Sequence, residues 1–565
     1  MNDIINILQC SLDDKRTPLI SNKIPRNFVS KDHYFSVFKP FIIREMVIDV
    51  RHTKSHIIDG TELKSLDVIK LKSKYVIIKN SNKYKQIAEI NYVTSIAPYY
   101  RMLYVKQPLN NTMVLDAILC EKSVQIKSEI SVYDGLLNWC VNPLGALLLV
   151  QGPPGTGKTH LIINMLSLLP NENPILICAP SNKAVSNILL NSKLSLSEAI
   201  VYGSLENIDE SIHIYAYEYR RAHLEENAMV WAACNDYSEM SLIEQEQVSK
   251  SVIVPYAKEH GYDPNNIEKI KDDLNMEHSV INEHKMKYIF CTVCCAGMRV
   301  VRQHRIDIAI LDEACQCKEA ETLIILEKEL KHLILVGDPL QLPATVKDIK
   351  CRRNYFDRSL LDRLYRNNVY VNMLNTQYRM HPEIASFPSN SFYKGKLKNG
   401  SIFGKTGQPY MVVQMGMSAE EMSEDKSLYN REEADYIVGM VLDLHSKNPD
   451  ITFGIITPYN AQKYYIEKKL NLDKVSIGTV DSFQGQERDI ILLSTVRTRK
   501  SESIGFLDDS RRLNVALTRA RYKLLIVGDI QFFSQKSDIW KRLYDNAVGR
   551  KVIKYARHIE ARSNK

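Results

Sequence analysis

Apolar and polar positions change rhythm several times along this chain, and each change marks a stretch of different character. Residues 1–32 are mostly polar, so this N-terminal segment is expected to pack poorly. From 33 to 112 short apolar runs alternate with Asn, Ser and Lys clusters. Tyr34–Phe38, Val76–Lys79, Ile87–Ile90 and Met102–Val105 read as strands, and clusters such as Lys79–Lys83 read as turns. A β-barrel accessory domain is expected there. From 113 to 204 buried-type runs, Ala146–Val150 and Ile175–Cys178, alternate with helical patterns, as in parallel α/β structure. From 205 to 286 strand signals stop and helix-favouring stretches take over, which predicts a helical insertion. The alternation resumes over 287–370, breaks near Asn367–Asn375, and continues through a second α/β domain at 371–548. Residues 549–565 form a basic tail.

Composition sharpens this picture only a little. Of the 565 residues, 45% are hydrophobic and 25% charged, which is ordinary globular usage and excludes wholesale disorder. The net charge of +8 is too small to identify a nucleic-acid binder, but its distribution is uneven. Between Thr61 and Lys106 there are nine Lys/Arg against three Asp/Glu, so the predicted β module is locally basic. Eleven cysteines, odd in number and scattered, predict free thiols and a reducing compartment. The N-terminus has an early acid and no basic leader, and no run reaches the ~18 apolar residues of a membrane span. An intracellular protein without a membrane partner is therefore expected.

Candidate chemistry begins at Gly152-Pro153-Pro154-Gly155-Thr156-Gly157-Lys158-Thr159, directly after an apolar strand and before the helical pattern that opens at His160. Glycines at this spacing let backbone N–H groups curl around phosphate oxygens, and a helix N-terminus adds partial positive charge. Lys158 would reach the β and γ phosphates, and the Thr159 hydroxyl would hold Mg²⁺. A second strand ends in Asp312-Glu313. Adjacent acids at the end of a buried strand would be costly without a cation or water to serve. The economical assignment gives Asp312 to Mg²⁺ and makes Glu313 the general base for the attacking water.

Asp312-Glu313-Ala314-Cys315-Gln316-Cys317 resembles the Walker B motif of senataxin-type helicases, in the Up-frameshift-like, 5′-to-3′ branch of superfamily 1. Four further blocks resemble that group in order: Gly337–Ala344, Gln377–Pro382, Thr479–Glu487 and Arg511–Arg521. The resemblance implies two tandem RecA-like P-loop domains, with the β-barrel before them and the helical insertion on the first. It implies ATP and Mg²⁺ as cofactors. Gln341 would sense the γ-phosphate or attacking water, and Arg379 and Arg519 would meet the developing phosphate charge. Tyr378 would stack on the adenine, Glu487 would contact the ribose or phosphate side, and Gly485 would belong to the nucleotide site. Pro180, Ser181, Asn182, Thr292, Thr479 and Ser482 would contact the sugar–phosphate backbone of a single strand, although each hydroxyl or amide would serve equally as a helix cap. The family's adenine-reading Gln falls on Gly135 here, with Gln125 the nearest upstream. Strict adenine selectivity is not expected.

The implied function is an ATP-dependent 5′-to-3′ helicase or translocase on single-stranded RNA or DNA, or on RNA–DNA hybrids. It would be a monomeric, nuclear motor with transcription or RNA-processing partners. An mRNA-decay or DNA-repair relative with the same motor, a cytoplasmic location, and an ATP-gated clamp that separates no strands remain open alternatives.

Overall fold

The computed structural model describes residues 23–28, 30–52, 57–58, 61–62, 68–71, 76–78, 97–103, 113–126, 131–222, 242–272, 286–400, 407–416 and 418–556, together with 230, 233, 234 and 237. The chain divides into two compact units. One takes residues within 1–149, 159–336 and 344–371; the other takes 150–158, 337–343 and 372–565.

Seven strands form one sheet: β1 (Leu147–Gln151), β2 (Ile175–Ala179), β3 (Ala199–Tyr202), β4 (Tyr288–Thr292), β5 (Ile308–Leu311), β6 (His332–Gly337) and β7 (Asn372–Met373). Their order is β7-β1-β6-β5-β2-β4-β3. Pairing is parallel, with Cys178 of β2 opposite both Cys291 of β4 and Leu311 of β5. Strands β1, β2, β3 and β5 are buried at every residue, which is why they read as unbroken apolar runs. The helices Lys158–Leu168 and Asn182–Ser192 carry the chain from β1 to β2 and from β2 to β3.

The second unit has its own all-parallel sheet of six strands: β8 (Tyr410–Gln414), β9 (Phe453–Ile456), β10 (Val475–Gly478), β11 (Arg488–Ser494), β12 (Ala520–Gly528) and β13 (Ile553–Tyr555). The order is β10-β9-β11-β12-β8-β13. Apolar clusters lie on both faces, one around Trp540 and Phe533 and the other around Phe453 and Ile437. Two parallel-sheet α/β units are the architecture that RecA-like domains have.

The N-terminal part departs from expectation. Tyr34–Phe38 does not form a strand: Lys31–Ser36 is a helix, capped by Ser30, whose hydroxyl accepts the His33 N–H. A longer helix follows at Lys39–His52. Tyr34, Phe38, Phe41 and Ile42 recur at helical spacing and are all buried in the first unit's core. Tyr34–Phe38 is apolar at all but Ser36 and too short to fix a period, and the longer pattern decides it. Met102–Val105 is likewise not a strand at its described residues, because Ala97–Leu103 is a helix burying Tyr99 and Met102. Nor is 1–32 poorly packed throughout. Ile24 and Phe28 are buried, and Arg363 donates to the Arg26 carbonyl at 3.1 Å. Strand does form at Val76–Ile78, paired antiparallel with Val68–Leu71. Ile87–Ile90 lies outside the described residues.

Within 205–286 the described residues form short helices joined by turns, with one isolated bridge from Ala216 to Val201 and no strand. They include the helices Leu242–Val248 and Val254–His260, with a small apolar cluster of their own around Ile253, Tyr256 and Ile270. No described helix is long and apolar enough to cross a membrane.

Candidate active site

Residues Gly152–Gly157 turn the chain from β1 into the helix Lys158–Leu168. Gly155 and Gly157 take the left-handed conformation, with φ of +73° and +80°. Gly152 is required for a different reason. A Cβ there would lie 2.2 Å from Cγ of Lys158, whose ammonium donates to the Gly152 carbonyl at 3.1 Å. Thr156 closes the loop by donating its hydroxyl to the Pro153 carbonyl at 2.8 Å. Thr159 and His160 occupy the first turn of the helix. His160 is exposed and stacks on Tyr133, with centroids 6.2 Å apart and planes 14° apart.

Asp312 and Glu313 follow β5 in the first unit. Asp312 is buried, and its N–H donates to the Cys178 carbonyl of the neighbouring strand at 2.9 Å. Glu313 has φ of +48°, a left-handed conformation unusual for a side-chain-bearing residue and typical of functional turns. Its N–H donates to Asp312 Oδ1 at 2.8 Å, and Gln316 donates to its carboxylate at 3.0 Å. A Thr159 hydroxyl and an Asp312 carboxylate are hard oxygen donors. They fit Mg²⁺, which keeps water and substrate phosphate oxygens as its other ligands.

The remaining nucleotide-site candidates gather in the second unit around the phosphate loop. Buried Gln377 fixes the turn that carries them, accepting the N–H groups of Arg379 (2.9 Å) and Met380 (2.7 Å) on one oxygen. The Tyr378 N–H donates to the Gly155 carbonyl at 2.8 Å. Arg379 packs so closely that a Cβ on Gly155 would sit 2.5 Å from its own. The Arg379 guanidinium bonds Glu487 at 2.5 Å and the Thr518 carbonyl at 3.2 Å. The Tyr378 side chain is 60% exposed, as a ring that stacks on a ligand must be. Gly485, at φ +75°, provides the exposed turn before Glu487.

Arg519 is almost wholly buried. It donates to the carbonyls of Val515 (2.9 Å) and Gln486 (3.3 Å) and to Gln341 Oε1 at 3.4 Å. Gln341 in turn donates to Asp338 at 2.9 Å, and Gln151 donates to the other oxygen of Asp338 at 3.0 Å. Asp338 also accepts the Tyr393 hydroxyl at 2.7 Å, and Asn514 donates to that hydroxyl at 2.7 Å. Burial, with the charge of Asp338 beside it, holds the Tyr393 phenol well above its usual range, so it stays a donor. Gln151, Asp338, Tyr393 and Asn514 went unassigned from sequence. Asp338 and Asn514 stand inside motif blocks, Gly337–Ala344 and Arg511–Arg521, whereas Gln151 and Tyr393 stand in none.

The strand-contact candidates already serve local structure. Ser181 caps the helix Asn182–Ser192 by accepting the Ala184 N–H, with Pro180 before it. Thr292 ends β4 and accepts the Cys295 N–H; Ala179 of β2 lies opposite it in register. These four positions therefore share one edge of the first sheet. Thr479 accepts the Ser482 N–H, and Ser482 donates back to the Thr479 carbonyl at 2.8 Å. A hydroxyl that accepts in this way still has a proton to donate. Thr479 also lines a cavity of about 840 Å³ in the second unit.

A glycine-rich loop leaving a parallel sheet, with an acidic pair after the strand two places away and a buried, hydrogen-bonded glutamine after the strand between, defines a P-loop nucleoside-triphosphatase fold. One AAA-domain family model matches residues 137–204 and 262–348, and another matches 356–531. Helicase sen1 of Schizosaccharomyces pombe is 32% identical over an alignment of 509 residues that covers 75% of this chain and 30% of that protein. A regulator of nonsense transcripts 1 homolog of Arabidopsis thaliana is 34% identical, across 70% of this chain and 32% of its own length. The probable helicase senataxin of Mus musculus is 30% identical, across 72% and 18%. The chain belongs to the senataxin-type, Up-frameshift-like helicases of superfamily 1, and spans about a third or less of the length of these relatives. Among solved structures, the PRRSV helicase aligns with a TM-score of 0.35 at 14% identity, over 72% of this chain and 56% of that one.

Proposed function

We propose that this chain is the motor of an ATP-dependent 5′-to-3′ helicase or translocase acting on single-stranded RNA or DNA. The linkage inside the second unit carries the reading: Arg519 bonds Gln341, Gln341 bonds Asp338, and Arg379 packs on Gly155 of the phosphate loop. Two planar, permanently charged side chains tied to a glutamine and a phosphate cradle suit a site that senses phosphate charge.

Bound MgATP supplies a cleavable phosphoanhydride and a divalent charge on its oxygens, with Thr159 and Asp312 as protein ligands. Lys158 and the loop's backbone N–H groups bind and orient the phosphates. The Glu313 carboxylate, steadied by Gln316, takes the proton of the attacking water. Arg379 and Arg519 stabilise the charge of the transferred phosphoryl group, an effect worth roughly 10³–10⁵ in rate in related hydrolases. Tyr378 stacks on the base, and Glu487 both holds Arg379 and faces the ribose. Pro180, Ser181, Asn182, Thr292, Thr479 and Ser482 hold the strand by its sugar–phosphate backbone. In this reading 33–112 includes a β-barrel and 205–286 is an inserted helical subdomain, both gripping the strand. The senataxin-type signature at Asp312–Cys317 favours a monomeric nuclear motor working on nascent RNA or RNA–DNA hybrids with transcription partners.

The test measures ATPase with and without single strands, then unwinding of duplexes carrying 5′ or 3′ overhangs. Glu313→Gln and Arg519→Ala should abolish turnover and leave strand binding measurable. Unchanged turnover in both would sink the assignment. Unwinding only from 3′ overhangs would reverse the polarity, and strand-stimulated ATPase without unwinding would make the protein a clamp.

A further inference from the structure

The cavity of about 840 Å³ that Thr479 lines has a composition the nucleotide site does not use. Its wall carries three carboxylates, Glu420, Glu421 and Asp481, and three cations, Lys426, Arg497 and Arg512. These charges are largely satisfied locally. Glu420 accepts the Thr498 N–H at 2.9 Å and the Ser501 hydroxyl at 2.6 Å. Glu421 pairs with Arg431 at 2.9 Å, and Asp481 with Arg512 at 3.4 Å. Arg497 bonds the Tyr459 hydroxyl and the Ser503 carbonyl. A neutral, internally paired wall gives a phosphate no net attraction.

The same wall offers an aromatic surface. Phe506 is 52% exposed and meets Tyr459 at a centroid distance of 5.8 Å and an interplanar angle of 62°. Guanidinium groups sit over both rings, Arg512 at 5.5 Å from Phe506 and Arg497 at 5.6 Å from Tyr459. The arrangement is built rather than accidental. Gly505 takes φ of +62°, and a Cβ there would come within 2.6 Å of the Tyr459 hydroxyl and 2.8 Å of Arg497. A half-exposed ring backed by a guanidinium, in a cavity large enough for a nucleotide and without net charge, suits a planar, neutral, hydrogen-bonding group.

We propose that this cavity receives one unstacked nucleobase of the bound strand, with Phe506 as its stacking face. The inference rests on the strand-binding reading above and adds to it a base contact, where that reading invoked only sugar and phosphate. Stacking of this kind tolerates any sequence, because every base has a π-face.

The test is a binding titration of single-stranded oligonucleotides in which one abasic site is moved stepwise along the strand. With the unaltered chain, removal of the base at one position should weaken binding roughly 5- to 150-fold, the range for one base–aromatic stack. Phe506→Ala should weaken binding of the intact strand by a similar factor and make the abasic scan flat. Phe506→Tyr should keep the profile, and thermal melting of both variants checks that they fold. A flat scan with the unaltered chain, while the strand still binds, overturns the base pocket and leaves the motor reading intact. A position-dependent scan that survives in folded Phe506→Ala also overturns it. Failure of the unaltered chain to bind any single strand overturns both.

Discussion

Glu433 lies three residues after the Asn430 that caps the helix Arg431–Lys447, wholly buried, and its carboxylate accepts the Ser494 hydroxyl (2.7 Å) and the Val496 N–H (3.0 Å). Val496 is β-branched with φ of +69°, a conformation that needs such holding, and the next residue is Arg497 of the cavity. Burial pushes the Glu433 carboxyl from its ordinary 4.5 up to about 8, against the pull of its hydrogen bonds, and nearby Asp529 adds to the rise. Between those values the folded chain keeps a proton that the unfolded chain has lost. The group's stabilisation is thus full below about 4.5 and lost as pH rises through about 8. Glu433→Gln cannot titrate, so its melting midpoint should fall less steeply over that window than that of the unaltered chain; equal slopes would reject the shift. At Gly155 an added methyl meets both a left-handed φ and Arg379, so Gly155→Ala should lower kcat/KM for ATP by about tenfold or more while melting stays cooperative. Residues like Gly155 and Asp312 were legible in the sequence because phosphate chemistry demands fixed types at fixed spacing. The Asp338–Tyr393–Asn514 chain was not. Its members stand 55 and 121 residues apart and are ordinary types that only folding brings together.

The buried strands Leu147–Gln151 and Ile175–Ala179 could be read directly, since strands covered on both faces have no polar alternation to confuse them. The N-terminal helices could not, because Tyr34-Phe35-Ser36-Val37-Phe38 is apolar at four of its five positions and so short that it carries no period of its own. Its burial partners, Phe41 and Ile42, lie beyond a five-residue window. Helix Lys39–His52 is anchored by Phe41 stacked on Phe356, with centroids 5.6 Å apart and planes 17° apart, and by the buried pair of Arg44 with Asp348. These helices are part of the first unit's core. Phe38→Ala should therefore destabilise the chain by about 3–5 kcal/mol, seen as a lower denaturant midpoint at unchanged slope. A surface appendage would give almost no change.

At the scale of the whole molecule, the net charge of +8 is expressed locally, with nine Lys/Arg against three Asp/Glu over Thr61–Lys106. Strand affinity should fall with salt by roughly 0.7 log unit per log unit for each phosphate neutralised. Replacing Lys70, Lys72 and Lys74 with Gln should flatten that slope in a binding titration. An unchanged slope would place the phosphate contacts elsewhere. The second unit also includes two short stretches, Val150–Lys158 and Gly337–Pro343, that the gene encodes well before Asn372. A fragment beginning at Asn372 would deprive the buried Tyr393 hydroxyl of Asp338 and the Asn514 amide of the Leu340 carbonyl, at about 1–3 kcal/mol for each such group. The two halves of the coding sequence are therefore not interchangeable cassettes. A recombination that swapped the C-terminal half between relatives would also have to carry those two small islands, which ties the inheritance of both halves together.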